Sequence, residues 1–197
     1  MNAIETHALT RRFGAHTAVD GLDLTVRQGE LFALLGVNGA GKTTTLRMLS
    51  GLLQPTGGEA DILGFRLTQQ PQEIKRRINL SPQETAVAPN LTVRENLELI
   101  AGIYGASRRE AAQRAAETIA EFHLGEVERS RAKTLSGGWQ RRLSIAMALI
   151  SQPQLVFLDE PTLGLDVLAR RELWQVIRSP RGRVTVILTP PYPEEAE

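Results

Sequence analysis

The stretch Gly36-Val37-Asn38-Gly39-Ala40-Gly41-Lys42-Thr43-Thr44 constrains the fold more than any other part of this chain. It follows the apolar run Leu31 to Leu35 and leads into Thr43 to Ser50, where Leu46 and Leu49 share a helical face. The spacing therefore predicts a strand, a loop and a helix in that order. Glycines in such a loop permit backbone angles that turn successive N–H groups inward around an anion. The helix that begins near Gly41 adds its positive dipole end and its orphan donors at the same place. Gly36, Asn38, Gly39 and Gly41 are thus expected to line a phosphate-binding loop. In it Lys42 reaches the β- and γ-phosphates, the Thr43 hydroxyl is offered to a bridging Mg²⁺, and Thr44 backs both. A glycine turn with no ligand is the plainer alternative, against which the strand–loop–helix context argues. The motif points to a nucleoside triphosphate without saying what the triphosphate is for.

A chain of 197 residues can bury one substantial core, so one domain is expected, with room for a subdomain. Hydrophobic residues at 42% and charged residues at 23% are ordinary globular proportions, which excludes disorder as the dominant state. A formal net charge of +1 gives no support for strong electrostatic binding to nucleic acid, and none is expected, although Arg141-Arg142 or Arg170-Arg171 would form a local patch if exposed. There is no cysteine, hence no disulfide framework and no thiolate metal site, which fits a reducing compartment. The first residues lack the basic start and apolar core of a signal peptide. No run approaches the ~20 apolar residues of a membrane span, so any membrane association is expected to come through a partner.

Along the chain, Ile4 to Val26 alternates apolar and polar residues, most clearly in Leu22-Asp23-Leu24-Thr25-Val26. That is the period of half-buried strands in a small antiparallel sheet. Phe13 is placed in the turn between its strands, where it either packs ordinarily or stacks on a flat ligand ring. Strands are also expected at Glu59 to Leu63 and Ile78 to Ser81, with a short basic helix at Pro71 to Arg77. After Gln83 the composition changes. Thr92 to Tyr104 and Ser107 to Phe122 have helical periodicity, and Thr92/Glu95 and Ser107/Glu110 have capping-box spacing. Residues 84–130 are expected to form a helical subdomain inserted in a core of 1–83 and 131–197, with Arg108, Arg109 and Arg114 on its solvated face. The α/β pattern returns with a helix from Ser136 to Ile150, a fully buried strand at Leu155 to Leu158, a helix from Val167 to Arg178 and a strand at Val184 to Leu188. Strands alternating with helices around a phosphate loop imply a mostly parallel sheet flanked by helices.

Asp159 and Glu160 end the buried strand, where ligands collect in open α/β sheets and where unpaired charge is expensive. Asp159 is suited to the Mg²⁺ shell. Glu160, followed by Pro161, is placed to orient or deprotonate an attacking water. Ser136-Gly137-Gly138 is a second glycine-opened helix N-terminus, able to bind an anion, and Ser136 is equally a plain N-cap.

Taken together, Gly36–Thr44, Gln83, Leu135–Gln140, Leu155–Glu160 and Gly164-Leu165-Asp166, in this order and spacing, resemble the ATP-binding cassette (ABC) ATPases of membrane transporters over nearly the entire chain. Leu135–Ser144 and Tyr192–Glu197 look most like the drug-export type. The resemblance implies a P-loop NTPase fold with an N-terminal antiparallel β subdomain and an inserted helical subdomain. It also implies ATP and Mg²⁺ as ligands and a location at the inner face of the cell membrane. Phe13 would stack on adenine with Val19 beside it, and Gln83 would meet the metal and the attacking water. Ser136 and Gly138, with Gly137 between them, would contact the γ-phosphate of ATP bound to a second cassette in a head-to-tail dimer. Asp166 would lie at that interface, or cap the following helix, or both. Thr85 to Val93 and the helical block would receive a permease.

Two departures from the family pattern stand out. Family members carry a histidine after the last of these strands, in a threonine-threonine-histidine-tyrosine pattern. This chain has Thr189-Pro190-Pro191-Tyr192, and His7, His16 and His123 do not fit that position. The sequence also stops at Glu197, where the family usually continues with a helix and a strand, so a shortened C-terminal end is expected. An ATPase subunit powering export through a separate permease is the leading expectation. A nucleotide-binding module that hydrolyses poorly is the second, and a cassette ATPase of DNA repair, chromosome or ribosome work is the third.

Overall fold

The structure, a computed structural model, describes residues 1–178 and 184–191. The described residues form two compact units, one of residues 1–80, 153–160 and 184–191, the other of residues 81–152 and 161–178.

In chain order the first unit contains β1 (Asn2–Phe13), β2 (His16–Arg27), β3 (Leu31–Ala33), α1 (Lys42–Leu49), β4 (Gly57–Ile62), β5 (Phe65–Arg66), α2 (Pro71–Lys75), β6 (Ile78–Ser81, ending at the boundary), β7 (Leu155–Asp159) and β8 (Thr185–Thr189). Its antiparallel sheet has the order β2-β1-β4-β5, and its second sheet the order β3-β8-β7-β6. In the second sheet β3 runs parallel to β8, and β8 parallel to β7. The difference follows from the sequences. β1 and β2 mix buried and exposed positions, as strands with one wet face do, whereas every residue of β7 and β8 is buried. Ile4, Leu9 and Val26 from the first sheet meet Leu46 and Leu49 of α1 and Leu155, Phe157 and Ile187 of the second in one apolar cluster. Each such fully buried side chain contributes about 1.5–3 kcal/mol.

The second unit contains α3 (Val93–Ile103), α4 (Arg108–Glu121), α5 (Gly137–Leu149) and α6 (Val167–Arg178), with 3₁₀ turns at Gly125–Val127 and Ala132–Thr134. The helices pack as α3 on α4, α3 on α5 and α5 on α6. Val93, Leu97, Ala101, Ala115, Phe122 and Leu124 are among the buried residues.

The helix boundaries agree closely with the sequence expectations because they are encoded locally. Both capping boxes are formed: the Thr92 hydroxyl accepts from Glu95 N at 3.2 Å, and the Ser107 hydroxyl accepts from Glu110 N at 3.3 Å. The returning hydrogen bond from the Thr92 backbone N–H holds the Glu95 carboxyl below its usual range, and hydrogen bonding to Ser107 does the same for Glu110. A depressed carboxyl contributes stability that is complete above its unfolded pKa, about 4.3, and is lost as pH falls through the lower folded value. Melting of the doubly substituted Glu95→Gln/Glu110→Gln protein is therefore expected to depend less on pH between 5 and about 3 than the wild type does. Glutamine can keep the box without titrating.

Four details differ from expectation. β3 ends at Ala33, shorter than the apolar run Leu31 to Leu35; Leu34 N makes one further bond, to Leu188 O at 2.8 Å, before the chain turns into the loop. β5 is only two residues long and carries no readable period. Phe13 closes β1 rather than sitting in the turn. Arg141 and Arg142 are 4% and 7% exposed, so they form no surface patch for nucleic acid. The segment Tyr192–Glu197, to which part of the family likeness was tied, lies outside the described residues.

Candidate nucleotide site

In the first unit the loop between β3 and α1 is exposed from Gly36 to Ala40, and α1 starts from Gly41, its N-cap, at φ +84°. Glycine is required at 41 on two counts. L side chains rarely adopt that angle, and an added Cβ would lie 2.2 Å from the Ala18 carbonyl oxygen. Gly39 shares the φ of +84°, and at Gly36 an added Cβ would lie 3.0 Å from Ala40 Cβ. Val19 is buried in the core cluster, its Cγ2 only 3.0 Å from where a Cβ on Gly41 would stand. Asn38 is exposed beside Gly39, and Thr44 is half-buried in the first turn of α1.

Lys42 is 9% exposed, and its ammonium donates to the carbonyl oxygens of Gly36 at 2.7 Å and Val37 at 3.3 Å. A buried cation needs such partners, and carbonyls at the mouth of the loop can be exchanged for phosphate oxygens at little cost. The Thr43 hydroxyl lies 3.2 Å from Asp159 Oδ1, bringing the α1 start and the β7 end together. Two oxygen donors side by side suit Mg²⁺, which usually takes one or two protein ligands and completes its shell with water and phosphate. Glu160, the next residue, has φ +46°, an uncommon angle for a non-glycine residue, of the kind that clusters at functional sites. Phe13 is 46% exposed, with the Arg11 guanidinium carbon 4.5 Å from its ring centroid. Arg11 also donates to Gln54 O at 2.8 Å, which fixes it over the ring. Pro190 is buried and Pro191 half-buried beyond β8.

The second unit carries the other expected residues. Ser136 is the N-cap of α5, but its side chain makes no capping hydrogen bond, so the plain-cap reading lacks its defining contact. Gly137 opens the helix, and an added Cβ on Gly138 would meet Ala169 Cβ at 3.5 Å. Asp166 does cap α6, Oδ1 accepting from Ala169 N at 2.9 Å. Gln83 is exposed after β6.

Sequence reasoning missed three residues that organise these segments. Arg141 donates from Nε to Pro161 O at 3.0 Å and from Nη1 to the carbonyls of Pro82 and Gln83, tying α5 to the segment that carries Gln83. Asn96 is fully buried, donates to Ala88 O, Leu91 O and Thr92 O and accepts from Ala88 N, which pins the loop before α3. Thr189 bridges Asp159 and Glu160. Polar residues inside a helix or at a strand end leave no periodic signal, so only contacts reveal them.

Residues 19–163 match the family model described as ABC transporter. The chain is 44% identical over 196 residues to the daunorubicin/doxorubicin resistance ATP-binding protein DrrA of Streptomyces peucetius, covering 99% of this chain and 59% of that protein. It is 38% identical over 195 residues to the probable multidrug ABC transporter ATP-binding protein YbhF of Escherichia coli, covering 98% of this chain and 34% of the relative. The chain thus spans less than two thirds of the length of these curated relatives. Among solved structures, an ATP-binding subunit of an ABC transporter superposes with a TM-score of 0.81 at 31% identity, covering 96% of this chain and 80% of that one. A dimeric ATP-binding cassette in a post-hydrolysis state with ADP and Pi does so with 0.81 at 27% identity, covering 94% and 87%.

Proposed function

The chain belongs to the ABC transporter family, and from that premise we propose that it is the ATP-binding and ATP-hydrolysing subunit of a transporter that exports its substrate through a separate membrane permease. The observation that carries this reading is the meeting of Thr43 and Asp159 beneath the phosphate loop, with Glu160 next in the chain. Lys42 and the loop amides hold the triphosphate, Lys42 trading its two carbonyl partners for phosphate oxygens. Thr43 and Asp159 would hold Mg²⁺, which when bound neutralises charge on the phosphates and polarises them. Glu160 accepts the proton of the attacking water as general base. Phe13 offers its ring to adenine, with Val19 beneath the loop. Ser136, Gly137 and Gly138 present a helix N-terminus to the γ-phosphate bound by a second cassette, near Asp166, in a head-to-tail dimer.

The drug-resistance relatives support export as the direction. No helix among the described residues is long and apolar enough to cross a membrane. Helices α3 and α4, with the loop pinned by Asn96, are proposed as the permease-facing surface, and the protein as peripheral on the inner face of the cell membrane. The reading is tested by Mg-ATP hydrolysis together with capture of a multi-span membrane protein encoded beside it. Absence of both would overturn it.

A second reading, a cassette that binds ATP but hydrolyses it slowly, is favoured by Pro191. Proline has neither a side-chain donor nor a backbone N–H to offer where the family places an imidazole. Loss of one preorganised donor to developing charge costs about 10²–10³-fold in rate, roughly 3–4 kcal/mol, and leaves ground-state binding largely intact. Pro191→His is expected to raise single-turnover hydrolysis, though Pro190 restricts the approach. A wild-type rate that the substitution does not improve would show that another group already does the histidine's work.

A further inference from the structure

Thr189 ends β8 directly across from Asp159 in the parallel register and is fully buried. Its hydroxyl oxygen accepts the Glu160 N–H at 2.9 Å, and its proton goes to Asp159 Oδ1 at 2.7 Å. The direction of this chain of bonds is forced. An amide N–H only donates, so the threonine oxygen accepts from Glu160, and the hydroxyl's single proton is left for the Asp159 oxygen. We propose that Thr189 is a positioning residue for metal–nucleotide chemistry, one hydroxyl setting both the carboxylate of Asp159 and the backbone of Glu160. The proposal rests on the reading of Asp159 as a metal-side ligand and Glu160 as the general base.

The contacts of Thr43 and Thr189 with Asp159 Oδ1 differ in length and burial. The Thr43 contact is 3.2 Å long and comes from an exposed residue at the start of α1, so it is the one that can be exchanged when the Thr43 oxygen turns to a cation. The Thr189 contact is shorter and wholly buried, so it persists and keeps the carboxylate's rotation set. The same hydroxyl holds the amide of Glu160, whose φ of +46° non-glycine residues rarely adopt. Loss of that acceptor removes one hydrogen bond from the backbone that sets the direction of the Glu160 side chain.

Thr189→Val keeps the volume and branching of the side chain and removes only the hydroxyl, while Thr189→Ser keeps the hydroxyl and removes the methyl. ATP affinity with Mg²⁺ and with EDTA, and single-turnover hydrolysis, are measured for both variants in the whole protein. In Thr189→Val the gain in ATP affinity conferred by Mg²⁺, the hydrolysis rate, or both are expected to fall about 10–100-fold, the usual effect of losing a group that orients a metal ligand, with metal-free ATP binding unchanged. Thr189→Ser is expected to restore what Thr189→Val loses. If Thr189→Val does not melt cooperatively, Thr189→Ala takes its place. Retention of both quantities in Thr189→Val, or equal loss in Thr189→Ser, would overturn the proposal, the latter by showing that packing matters and the hydroxyl does not. Should Glu160→Gln turn over as fast as the wild type, the assignment of Glu160 fails; should the wild type not turn over, the slow-cassette reading holds; in both cases the Mg²⁺-dependent gain decides alone for or against Thr189.

Discussion

Glu160→Gln is expected to slow single-turnover ATP hydrolysis by about 10²–10⁴-fold, the range for a positioned general base, while leaving Mg-ATP binding near wild type. The amide occupies the same space after β7 and keeps the backbone bond from Glu160 N to Thr189, which in turn bonds Asp159. Only the proton acceptor is lost. Because hydrolysis is what would release the second cassette, the variant should also accumulate an ATP-bound dimer, visible by sedimentation at saturating Mg-ATP. An unchanged rate would remove Glu160 from the mechanism. A monomer at saturation would remove the head-to-tail dimer formed through Ser136–Gly138.

Lys42→Ala is expected to weaken Mg-ATP binding about 100-fold, or 2.7 kcal/mol, since the loop loses its mobile cation and keeps only backbone donors. The substitution should cost the unliganded protein little, because the Gly36 and Val37 carbonyls that Lys42 now satisfies belong to exposed residues and water can replace the ammonium. The effect is therefore best read as a lost ligand response. Saturation a hundredfold above Kd should stabilise the wild type by about 2.7 kcal/mol, seen as a rise in Tm, and the same ATP concentration should leave Lys42→Ala almost unshifted. A wild-type Tm that ignores Mg-ATP would count against the whole site.

These two expectations and the three made above rest unequally on sequence and on structure. The phosphate loop was legible at once, because loop geometry is a local matter of glycines at set spacing followed by a helix. The structure adds that Gly41 is needed against Ala18. The same holds for α3 and α4, whose starts are written in Thr92/Glu95 and Ser107/Glu110, and for β7, whose unbroken apolar run ends at the two carboxylates. Where a signal depended on more than a few neighbours it failed. Arg141-Arg142 looked in sequence like a potential surface patch, yet both are buried. Three backbone carbonyls surround one, and the other stacks on Trp139 and pairs with Glu172 at 2.6 Å.

What the sequence by itself determined is the set of chemical groups: a lysine and a threonine at a helix start, an aspartate and a glutamate at a strand end, and two prolines, Pro190 and Pro191, after a strand. Periodicity and capping are local properties, so the elements that carry those groups were determined with them. Only the tertiary structure decided that β7 and β8 lie side by side, which brings Thr189 to Asp159 across thirty positions of sequence and turns a threonine in an apolar strand into a bridge between two carboxylate residues. The physical reason is that a hydrogen bond has a range of about 3 Å and no memory of sequence distance. A buried polar side chain declares its role only once folding has chosen its neighbours.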